Sequence, residues 1–547
     1  MTHSDSAPDA TPECATERHR QLIRALQRPE AFPHPAADIG CIETHISSVV
    51  LAGQDVYKVK KPLDLGFLDF GTLEKRRAAC EEELRLNRRT APEVYLDVVP
   101  ITGSIEAPRI GGAGEPIEYA VRMRRFAQDA LLARRLEAGG LAPEVFERLA
   151  VHVATFHDAA AVAAPGEGFG DAQAVHFPVR QNFAQLREFI DDAALLAQAD
   201  VAERWSEAQF AQLEPIFERR LAEGRVRECH GDLHLGNLIL LDGEPRLFDA
   251  IEFSAGLRWI DVAADVAFLV MDLQRRGRAD LAARFLNAWL ERTGDYDSLR
   301  VMRYYIAYRA MVRAKIAAIR LGQLDGEERA ACLQECRDHV ALAVAQGTAA
   351  QPFLAIASGV SGSGKTSQSQ GLVEARGVIR VRADVERKRL FGLAAEDSSA
   401  TVPGGIYTAE ASRRTYARLA EVAAGAVMAG WPVLVDATFL RRSQRASFAE
   451  LARRLQAPFV ILAFDAPVAT LRARVVARAA QGGDASEADV AVLEMQYAQR
   501  EDVSAAERDV ALAVDTGSSV SWPALLPALD VVLRRQTGRL GHSNGDL

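Results

Sequence analysis

Short apolar runs alternate with amphipathic segments over the C-terminal third of the chain. Such runs, bounded by small residues, Gly or Pro, are typical of buried strands, and the segments between them have the period of amphipathic helices. The four predicted strands cover residues 353–357, 378–382, 432–436 and 459–464. This alternation predicts a parallel sheet wrapped by helices, which is an α/β architecture.

The upstream part of the chain has a different pattern. Two β-rich runs, Ser47–Leu51 and Asp55–Val59, are joined by Gly53–Gln54 and predict a hairpin. A charged helix is predicted from about Leu73 to Arg89, and most of the remaining sequence up to residue 345 predicts helices. The pattern therefore predicts two regions of different architecture.

The two regions meet near residues 343–352, where a helical region ends at Gly347 and small residues before the first apolar strand. The two ends of the chain are polar and offer little to bury, which predicts disorder there. The predicted organisation is a disordered tail (1–18), a first domain (19–345), a linker (346–352), a second domain (353–535) and a disordered tail (536–547).

The composition is that of a globular protein, since 49% of its 547 residues are hydrophobic and 25% are charged, and the chain is too long for a single core. The 65 Lys and Arg against 74 Asp and Glu give a net charge of −9, which argues against attachment to nucleic acid or an anionic membrane by bulk charge. Six cysteines without a CxxC pair, no secretory signal and no long apolar window predict a cytoplasmic protein outside the membrane.

The octapeptide GVSGSGKT matches the pattern GxxxxGK[ST] between a predicted strand and a predicted helix. Its glycines let backbone N–H groups face phosphates, while Lys365 reaches the β and γ oxygens and the Thr366 hydroxyl can ligate Mg²⁺. The alternative is a glycine-rich turn that binds nothing. The predicted nucleotide-binding residues are Gly359, Val360, Ser361, Gly362, Ser363, Gly364, Lys365 and Thr366.

Further charged residues follow in the same domain. Asp384 comes directly after the second strand, where strand ends face bound phosphates, so it is predicted to contact or deprotonate the acceptor hydroxyl; a helix cap is the alternative. Asp436 ends a later strand in the manner of a Walker B acid that holds the Mg²⁺ shell. Arg474 and Arg478 lie one helical turn apart and are predicted to clamp phosphate, with a solvated basic face as the alternative.

Over residues 353–535 these features resemble the small P-loop kinases, the group of gluconate kinase, polynucleotide kinase and the zeta-toxin sugar-nucleotide kinases. The resemblance implies ATP and Mg²⁺ as cofactors and a contact between Asp384 and the acceptor hydroxyl. The segment DATF at 436–439, together with Arg445, is most similar to the polynucleotide-kinase and zeta branches.

Two other clusters are interpreted without a ligand. The basic residues between Arg380 and Arg389 could recruit an anionic substrate or a nucleic-acid backbone, but a solvated helix face is the preferred interpretation. Cys332 and Cys336, with His339 close by, could hold a metal, but thiols packed between helices are commoner.

The octapeptide HGDLHLGN at residues 230–237 is followed, after a short turn, by the segment LFDA. Asp232 can orient and deprotonate an acceptor hydroxyl, and Asn237 can return to ligate Mg²⁺. Asp249, predicted on the next hairpin strand, can bridge the same metal to the phosphates. The alternative is a polar loop whose histidines are only hydrogen-bonded or, less plausibly, bind a metal.

This motif resembles that of the aminoglycoside phosphotransferase and choline kinase family, whose fold is that of protein kinases. The resemblance implies an α+β domain and a lysine on the third strand that pairs with the nucleotide phosphates. Lys58 fits the frame of that strand, with Val56 against the adenine, and Lys60 is the rival. A carboxylate of the run 81–83 is expected to pair with Lys58, and Glu83 is chosen among the three.

One feature of that family is missing, because residues 43–52 contain no GxGxxG; the glycine loop over the phosphates is either absent or replaced by Ser47–Ser48. The order of the two domains resembles a bacterial family of bifunctional aminoglycoside phosphotransferase/ATP-binding proteins. This implies an enzyme with two Mg·ATP sites, each phosphorylating a hydroxyl of a small molecule. The alternatives are a pseudokinase first domain that senses a ligand and regulates the second, and a kinase of nucleic-acid ends, which the acidic charge disfavours. The oligomeric state stays open.

Overall fold

The computed structural model describes residues 12–64, 66, 68–348, 351–402, 404–481 and 485–540. They form two compact units. The first unit comprises the described parts of 1–148, 155–175 and 218–265, and the second those of 149–154, 176–217 and 266–547. No helix among the described residues is long and apolar enough to cross a membrane.

The strands are β1 (Gly40–Glu43), β2 (Ser47–Ala52), β3 (Asp55–Lys60), β4 (Tyr95–Gly103), β5 (Pro108–Ile110), β6 (Glu118–Arg124), β7 (Val226–Glu228), β8 (Leu238–Leu241), β9 (Glu244–Leu247), β10 (Trp259–Asp261), β11 (Leu354–Ser358), β12 (Ile379–Arg382), β13 (Val433–Asp436), β14 (Phe459–Asp465) and β15 (Ala511–Asp515). The helices are α1 (Pro12–Leu26), α2 (Leu73–Asn87), α3 (Leu132–Glu137), α4 (Glu144–Ala159), α5 (Ala172–Phe189), α6 (Ala193–Ala222), α7 (Ala255–Arg258), α8 (Val262–Arg275), α9 (Ala279–Thr293), α10 (Leu299–Leu321), α11 (Gly326–Gly347), α12 (Lys365–Arg376), α13 (Ala383–Leu390), α14 (Ala409–Met428), α15 (Arg442–Arg454), α16 (Val468–Gln481), α17 (Val490–Gln499) and α18 (Trp522–Leu540).

The first unit is built on a six-stranded antiparallel sheet with the order β1-β2-β3-β6-β4-β5. The predicted hairpin is its β2–β3 pair, whereas β4, β5 and β6 were not predicted. Strand β3 shows how alternation sets the two faces of the sheet. Tyr57 and Val59 pack in a core with α1, and Val56 packs in a second core with α2. Lys58 and Lys60 therefore project from the face that α2 covers.

The predicted N-terminal tail, residues 1–18, is wrong for residues 12–18, which form the start of α1. Residues 1–11 lie outside the described residues. Leu22, Ile23 and Leu26 bury one face of α1 against the sheet, and this anchor lets the helix extend through the polar residues before it. At the other end α18 continues to Leu540, so the predicted tail from residue 536 is wrong for its first residues.

The second unit contains a five-stranded parallel sheet with the order β12-β13-β11-β14-β15. Helices flank it, so the predicted parallel sheet wrapped by helices is confirmed. Four of its strands lie at the predicted positions, and β15 was not predicted. The octapeptide GVSGSGKT joins the central strand β11 to α12, so its loop sits at the carboxyl edge of the sheet.

The compact units are not divided at the predicted linker. Helix α11 runs to Gly347, inside the predicted range 346–352. Upstream of it, α9 packs against α12 and β12, and α10 packs against α14. These helices therefore group with the P-loop region in the second unit.

Candidate active sites

The loop with the sequence HGDLHLGN is anchored by Asp265 at the start of α8. Asp265 accepts hydrogen bonds from the backbone N–H groups of His230, at 3.1 Å, and Gly231, at 2.9 Å, and His157 Nε2 lies 3.1 Å from the same carboxylate. Gly231 has a φ of +85°, and a Cβ atom there would lie 2.8 Å from the carbonyl oxygen of Leu257. Glycine is therefore required at this position.

Asp232 and Asn237 meet within this loop. Leu235–Asn237 form one turn of 3-10 helix, which brings the Asn237 side chain back towards Asp232. Asn237 Nδ2 donates to the Asp232 carbonyl oxygen at 3.0 Å and to its carboxylate Oδ2 at 2.9 Å. The Asp232 side chain is 34% exposed, so a hydroxyl group from solvent can reach its carboxylate. His234 Nε2 lies 3.3 Å from the same oxygen.

Asp249 lies just beyond strand β9 rather than on it, with a left-handed φ of +63°. Its backbone N–H donates to the Tyr95 hydroxyl at 3.1 Å, and its Oδ1 lies 2.5 Å from Lys58 Nζ. Lys58 Nζ also donates to Glu83 Oε1 at 2.8 Å. The lysine and the helix carboxylate singled out in the sequence thus form a buried ion pair, and Asp249 joins them.

The rival lysine belongs to the same network. Lys60 Nζ lies 2.5 Å from Glu83 Oε2 and also donates to Glu252. Lys60 and Glu83 are fully buried. Burial alone would raise the pKa of Glu83, but the two lysines outweigh it and lower this pKa to about 2. Burial also raises the pKa of Glu252, and Lys60 offsets only part of that effect.

Ser47 and Ser48 do not replace the missing glycine loop. Both are fully buried in strand β2, and the Ser48 hydroxyl is held by His19 of α1 at 2.9 Å and by Glu43 at 3.0 Å. The Ser48 side chain therefore points to the α1 face, away from Lys58, whereas Ser47 pairs with Lys60 and lies on the face of Lys58. Because both residues belong to a regular strand, they do not form a loop. The connection between β1 and β2 is the short segment 44–46.

In the second unit the P-loop has the backbone that its glycines permit. Gly362 and Gly364 have φ values of +79° and +78°, and a Cβ atom on Gly362 would lie 2.7 Å from the carbonyl oxygen of Leu471. Lys365 Nζ donates to the carbonyl oxygens of Gly359 and Val360, both at 2.9 Å.

The remaining P-loop positions contact the surrounding elements. The Ser361 backbone N–H donates to Gln496 of α17 at 2.7 Å. The Ser363 carbonyl oxygen accepts a hydrogen bond from the Thr516 hydroxyl at 2.8 Å.

Two acids lie close to Lys365. Asp436, at the end of β13, accepts a hydrogen bond from the Thr366 hydroxyl at 2.5 Å. Asp384 is the second residue of α13, and Arg382 is the N-cap residue of that helix, so Asp384 is not the cap. Burial lowers the pKa of Lys365, and the charges of Asp436 and Asp384 oppose that shift. The structure thus brings the lysine, the hydroxyl and both acids into one cluster.

The two arginines predicted to clamp phosphate, Arg474 and Arg478, donate hydrogen bonds to backbone carbonyl oxygens. Arg474 donates to the carbonyl oxygens of Thr516, at 2.6 Å, and Gly362, at 3.4 Å. Arg478 donates to the Ala488 carbonyl oxygen at 3.0 Å, and its charge contributes to the low pKa of Lys365. Both arginines therefore lie on the P-loop side of α16.

Arg445, by contrast, is a buried structural residue, only 1% exposed. It is paired with Glu507 at 2.7 Å and donates to the carbonyl oxygens of Phe439 and Glu501. This pair lowers the pKa of Glu507 to about 2.

The interpretation of the cluster between residues 380 and 389 as a solvated face is wrong. Arg387 and Lys388 are buried; Arg387 donates to the Ile406 carbonyl oxygen at 3.1 Å, and Lys388 to that of Ala395 at 2.9 Å. Their long stems pack in the core while the charged ends bind backbone oxygens.

The two neighbouring thiols are packed as expected. Cys332 and Cys336 are buried, and their Sγ atoms donate to the carbonyl oxygens of Ala317 and Ala314 in the adjacent helix α10.

The comparisons with known proteins match both regions. A model of the phosphotransferase enzyme family matches residues 73–302, and a model described as AAA domain matches residues 354–503. An uncharacterized protein of Mycobacterium tuberculosis is 32% identical over 469 residues, which are 85% of this chain and 92% of that protein. The chain belongs to this two-domain family. It is a kinase that uses ATP, with a phosphotransferase domain followed by a P-loop kinase domain.

Two solved structures resemble parts of the kinase. A gluconokinase from Sinorhizobium meliloti is 23% identical and matches 35% of this chain and 95% of its own, with a TM-score of 0.23. A choline kinase from Cryptosporidium parvum is 11% identical and matches 60% of this chain and 95% of its own, with a TM-score of 0.38.

Sequence reasoning missed Tyr95 and Glu252, which shape the first site of the kinase, and it treated Lys60 as a rival of Lys58 rather than as a second partner of Glu83. The alternation of side chains along β3 places Lys60 on the same face as Lys58, so the sequence already indicated that both lysines could reach Glu83. Nothing local to Tyr95 or Glu252 marks them, because their partners are distant in sequence.

Proposed function

We propose that each unit of this kinase transfers the γ-phosphoryl group of Mg·ATP to a hydroxyl group of a small molecule. The observation that carries the proposal is the recurrence of one set of groups: a lysine, oxygen ligands suited to Mg²⁺, and a further acid nearby. The sets are Lys58, Asn237, Asp249 and Asp232 in the first unit, and Lys365, Thr366, Asp436 and Asp384 in the second.

In the second unit the P-loop binds the ATP phosphates with its backbone N–H groups, and Lys365 moves from the carbonyl oxygens of Gly359 and Val360 to the phosphate oxygens. Thr366 and Asp436 would hold Mg²⁺, which neutralises phosphate charge when bound. Asp384 orients the acceptor hydroxyl and takes its proton as the new O–P bond forms and the bond to ADP breaks.

In the first unit Lys58 binds the nucleotide phosphates, and Glu83 holds it in place through the buried ion pair at 2.8 Å. Asn237 and Asp249 would hold Mg²⁺ with an amide and a carboxylate oxygen. Asp232, which is partly exposed, orients and deprotonates the acceptor hydroxyl. Anchoring of the loop backbone by Asp265 supports this geometry, because a positioned base needs a rigid loop.

We assign the first activity to residues 19–345 and the second to 353–535. All six cysteines are free thiols, which supports a location of the protein in the reducing cytoplasm. A regulatory first domain without catalysis is the competing function, and the short glycine-free connection at 44–46 is the observation that favours it.

The test is a screen of a cellular metabolite extract with labelled ATP, read by mass for phosphorylated products. Asp232→Asn in the full chain is expected to remove one set of products, and Asp384→Asn another, because each acid serves a separate acceptor. Asp242→Asn is the matched control, since asparagine tolerates the left-handed φ of +50° in that turn. If only Asp384→Asn removes products, the first domain is regulatory. If neither variant removes any, the proposal is refuted.

A further inference from the structure

Helix α9 runs beside β12, the edge strand of the parallel sheet. Asn287 of α9, which is 6% exposed, donates from Nδ2 to the Val378 carbonyl oxygen at 3.0 Å. Its Oδ1 accepts from the Arg380 backbone N–H at 2.7 Å. One side-chain amide thus satisfies a C=O and an N–H on the open side of β12, as a neighbouring strand would.

The same helix contacts the elements on both sides of the site. One turn after Asn287, Glu291 pairs with Arg382 at 2.7 Å, and the Glu291 carbonyl oxygen accepts a hydrogen bond from Arg389 of α13. One turn before Asn287, Arg284 pairs with Glu374 of α12 at 2.6 Å. Helix α9 is therefore tied to the strand–helix turn that carries Asp384 and to the helix that begins with Lys365 and Thr366.

A direct contact closes this arrangement. Arg380, whose backbone N–H donates to Asn287, also donates from its guanidinium to the Thr366 carbonyl oxygen at 2.8 Å. A shift of β12 would therefore change the position of Asp384, which follows this strand, relative to Lys365 at the start of α12. A hydrophobic residue in place of Asn287 could fill the space but would remove the hydrogen bonds that its side chain makes to the Val378 carbonyl oxygen and the Arg380 N–H.

We propose that Asn287 and Glu291 are positioning residues of the P-loop kinase site, which set where Asp384 stands relative to Lys365. The inference rests on the proposed role of Asp384. Helix α9 lies within residues 73–302, the region that matches the phosphotransferase family model. Helix α9, although it belongs to the predicted first domain (19–345), thus positions residues of the P-loop site.

The experiment uses the full chain with Asp232→Asn as background, so that only the second site transfers phosphate. The measured rate is the label released from γ-labelled ATP to water and to the metabolites of a cell extract. Asn287→Leu is expected to lower kcat about tenfold or more, since a displacement of about 1 Å can cost up to 100-fold. The affinity for ADP, measured by calorimetry, is expected to stay within about threefold, because the P-loop itself is unchanged.

Three further variants separate positioning from mere packing. Asp280→Asn, on the same helix but paired with Arg278, is the control and is expected to leave the rate unchanged. Glu291→Gln is expected to lower kcat less than Asn287→Leu does. If Asn287 acts through Asp384, Asn287→Leu loses most of its effect on kcat in an Asp384→Asn background. Hydrogen exchange of the peptide 378–390 is expected to become faster in Asn287→Leu.

The inference is overturned if Asn287→Leu keeps the parent kcat, or if its effects multiply with those of Asp384→Asn. It is also overturned if kcat and ADP affinity fall together, which marks a purely structural contact. Failure of the proposed function gives a different result: Lys365→Ala would then transfer phosphate as fast as the parent, or the parent would transfer none.

Discussion

Replacing Lys60 with methionine tests the buried network of the first unit. Lys60 is fully buried between Glu83 and Glu252, and the Glu252 side chain is only 4% exposed. Methionine fills similar space but removes the charge. Glu83 keeps Lys58 at 2.8 Å, whereas Glu252 loses its lysine. Leaving one partner of a buried ion pair uncompensated costs about 3 to 5 kcal/mol in the free energy of unfolding.

The loss of stability in Lys60→Met should depend on pH. In Lys60→Met the folded state favours protonated Glu252, whose pKa is already raised by burial. A carboxyl group whose folded pKa exceeds its unfolded value loses stability as pH rises through that interval. The variant is therefore expected to be less stable at pH 8 than at pH 5, relative to the parent. Equilibrium urea unfolding at both pH values measures this, with hydrogen exchange assigning the transition that involves β3.

A double variant and a control variant test this explanation. Lys60→Met with Glu252→Leu removes both charges and is expected to recover at least about 2 kcal/mol, because a buried pair replaced by apolar residues is often neutral or stabilising. Lys75→Met, whose pair with Asp69 is about half exposed, is the control and should cost less than about 1 kcal/mol. The reasoning is refuted if Lys60→Met costs under about 1 kcal/mol at pH 8, or if the double variant is no more stable than the single one.

Three further predictions concern single residues. Lys365→Ala is expected to abolish ATP turnover at the second site while the chain stays folded; turnover by this variant in an Asp232→Asn background would contradict the assignment. Asp249→Asn should weaken nucleotide binding to the first site only when Mg²⁺ is present, whereas Asp232→Asn should spare binding and reduce transfer. Calorimetric titration of both variants in a Lys365→Ala parent measures binding at the first site alone. If Asp249→Asn binds the nucleotide with the parent's affinity in Mg²⁺, the metal role is ruled out. Burial lowers the pKa of His19 to about 4, so the parent should lose about 2 kcal/mol of stability between pH 7 and pH 5 that His19→Gln does not lose; equal losses in urea unfolding would refute this.

The parts of the fold with a local signal could be predicted from the sequence. The strands of the parallel sheet are continuous apolar runs because both faces are buried, and the P-loop is a contiguous motif. The segment HGDLHLGN at 230–237 is also a contiguous motif. Strands β4 and β6 escaped prediction because neither is a continuous apolar run: Asp97 and Pro100 interrupt β4, and charged residues recur along β6.

Other features depend on contacts between residues far apart in sequence. The start of α1 follows from burial of Leu22 and Leu26 against a sheet formed later in the chain. Glu252 is an ordinary acid in the sequence and acquires its role only when Lys60 approaches. Asn287 reads as a helix residue of low propensity, and only the edge of β12 explains it.

The amide of Asn287 also affects how the protein behaves in concentrated solution. An edge strand with free N–H and C=O groups is a template for pairing with another chain. In a fragment that starts at residue 353, Arg380 N–H and Val378 C=O would lose the side chain that occupies them. Such a fragment is expected to self-associate through β12, whereas the full chain keeps this edge closed to intermolecular strand pairing.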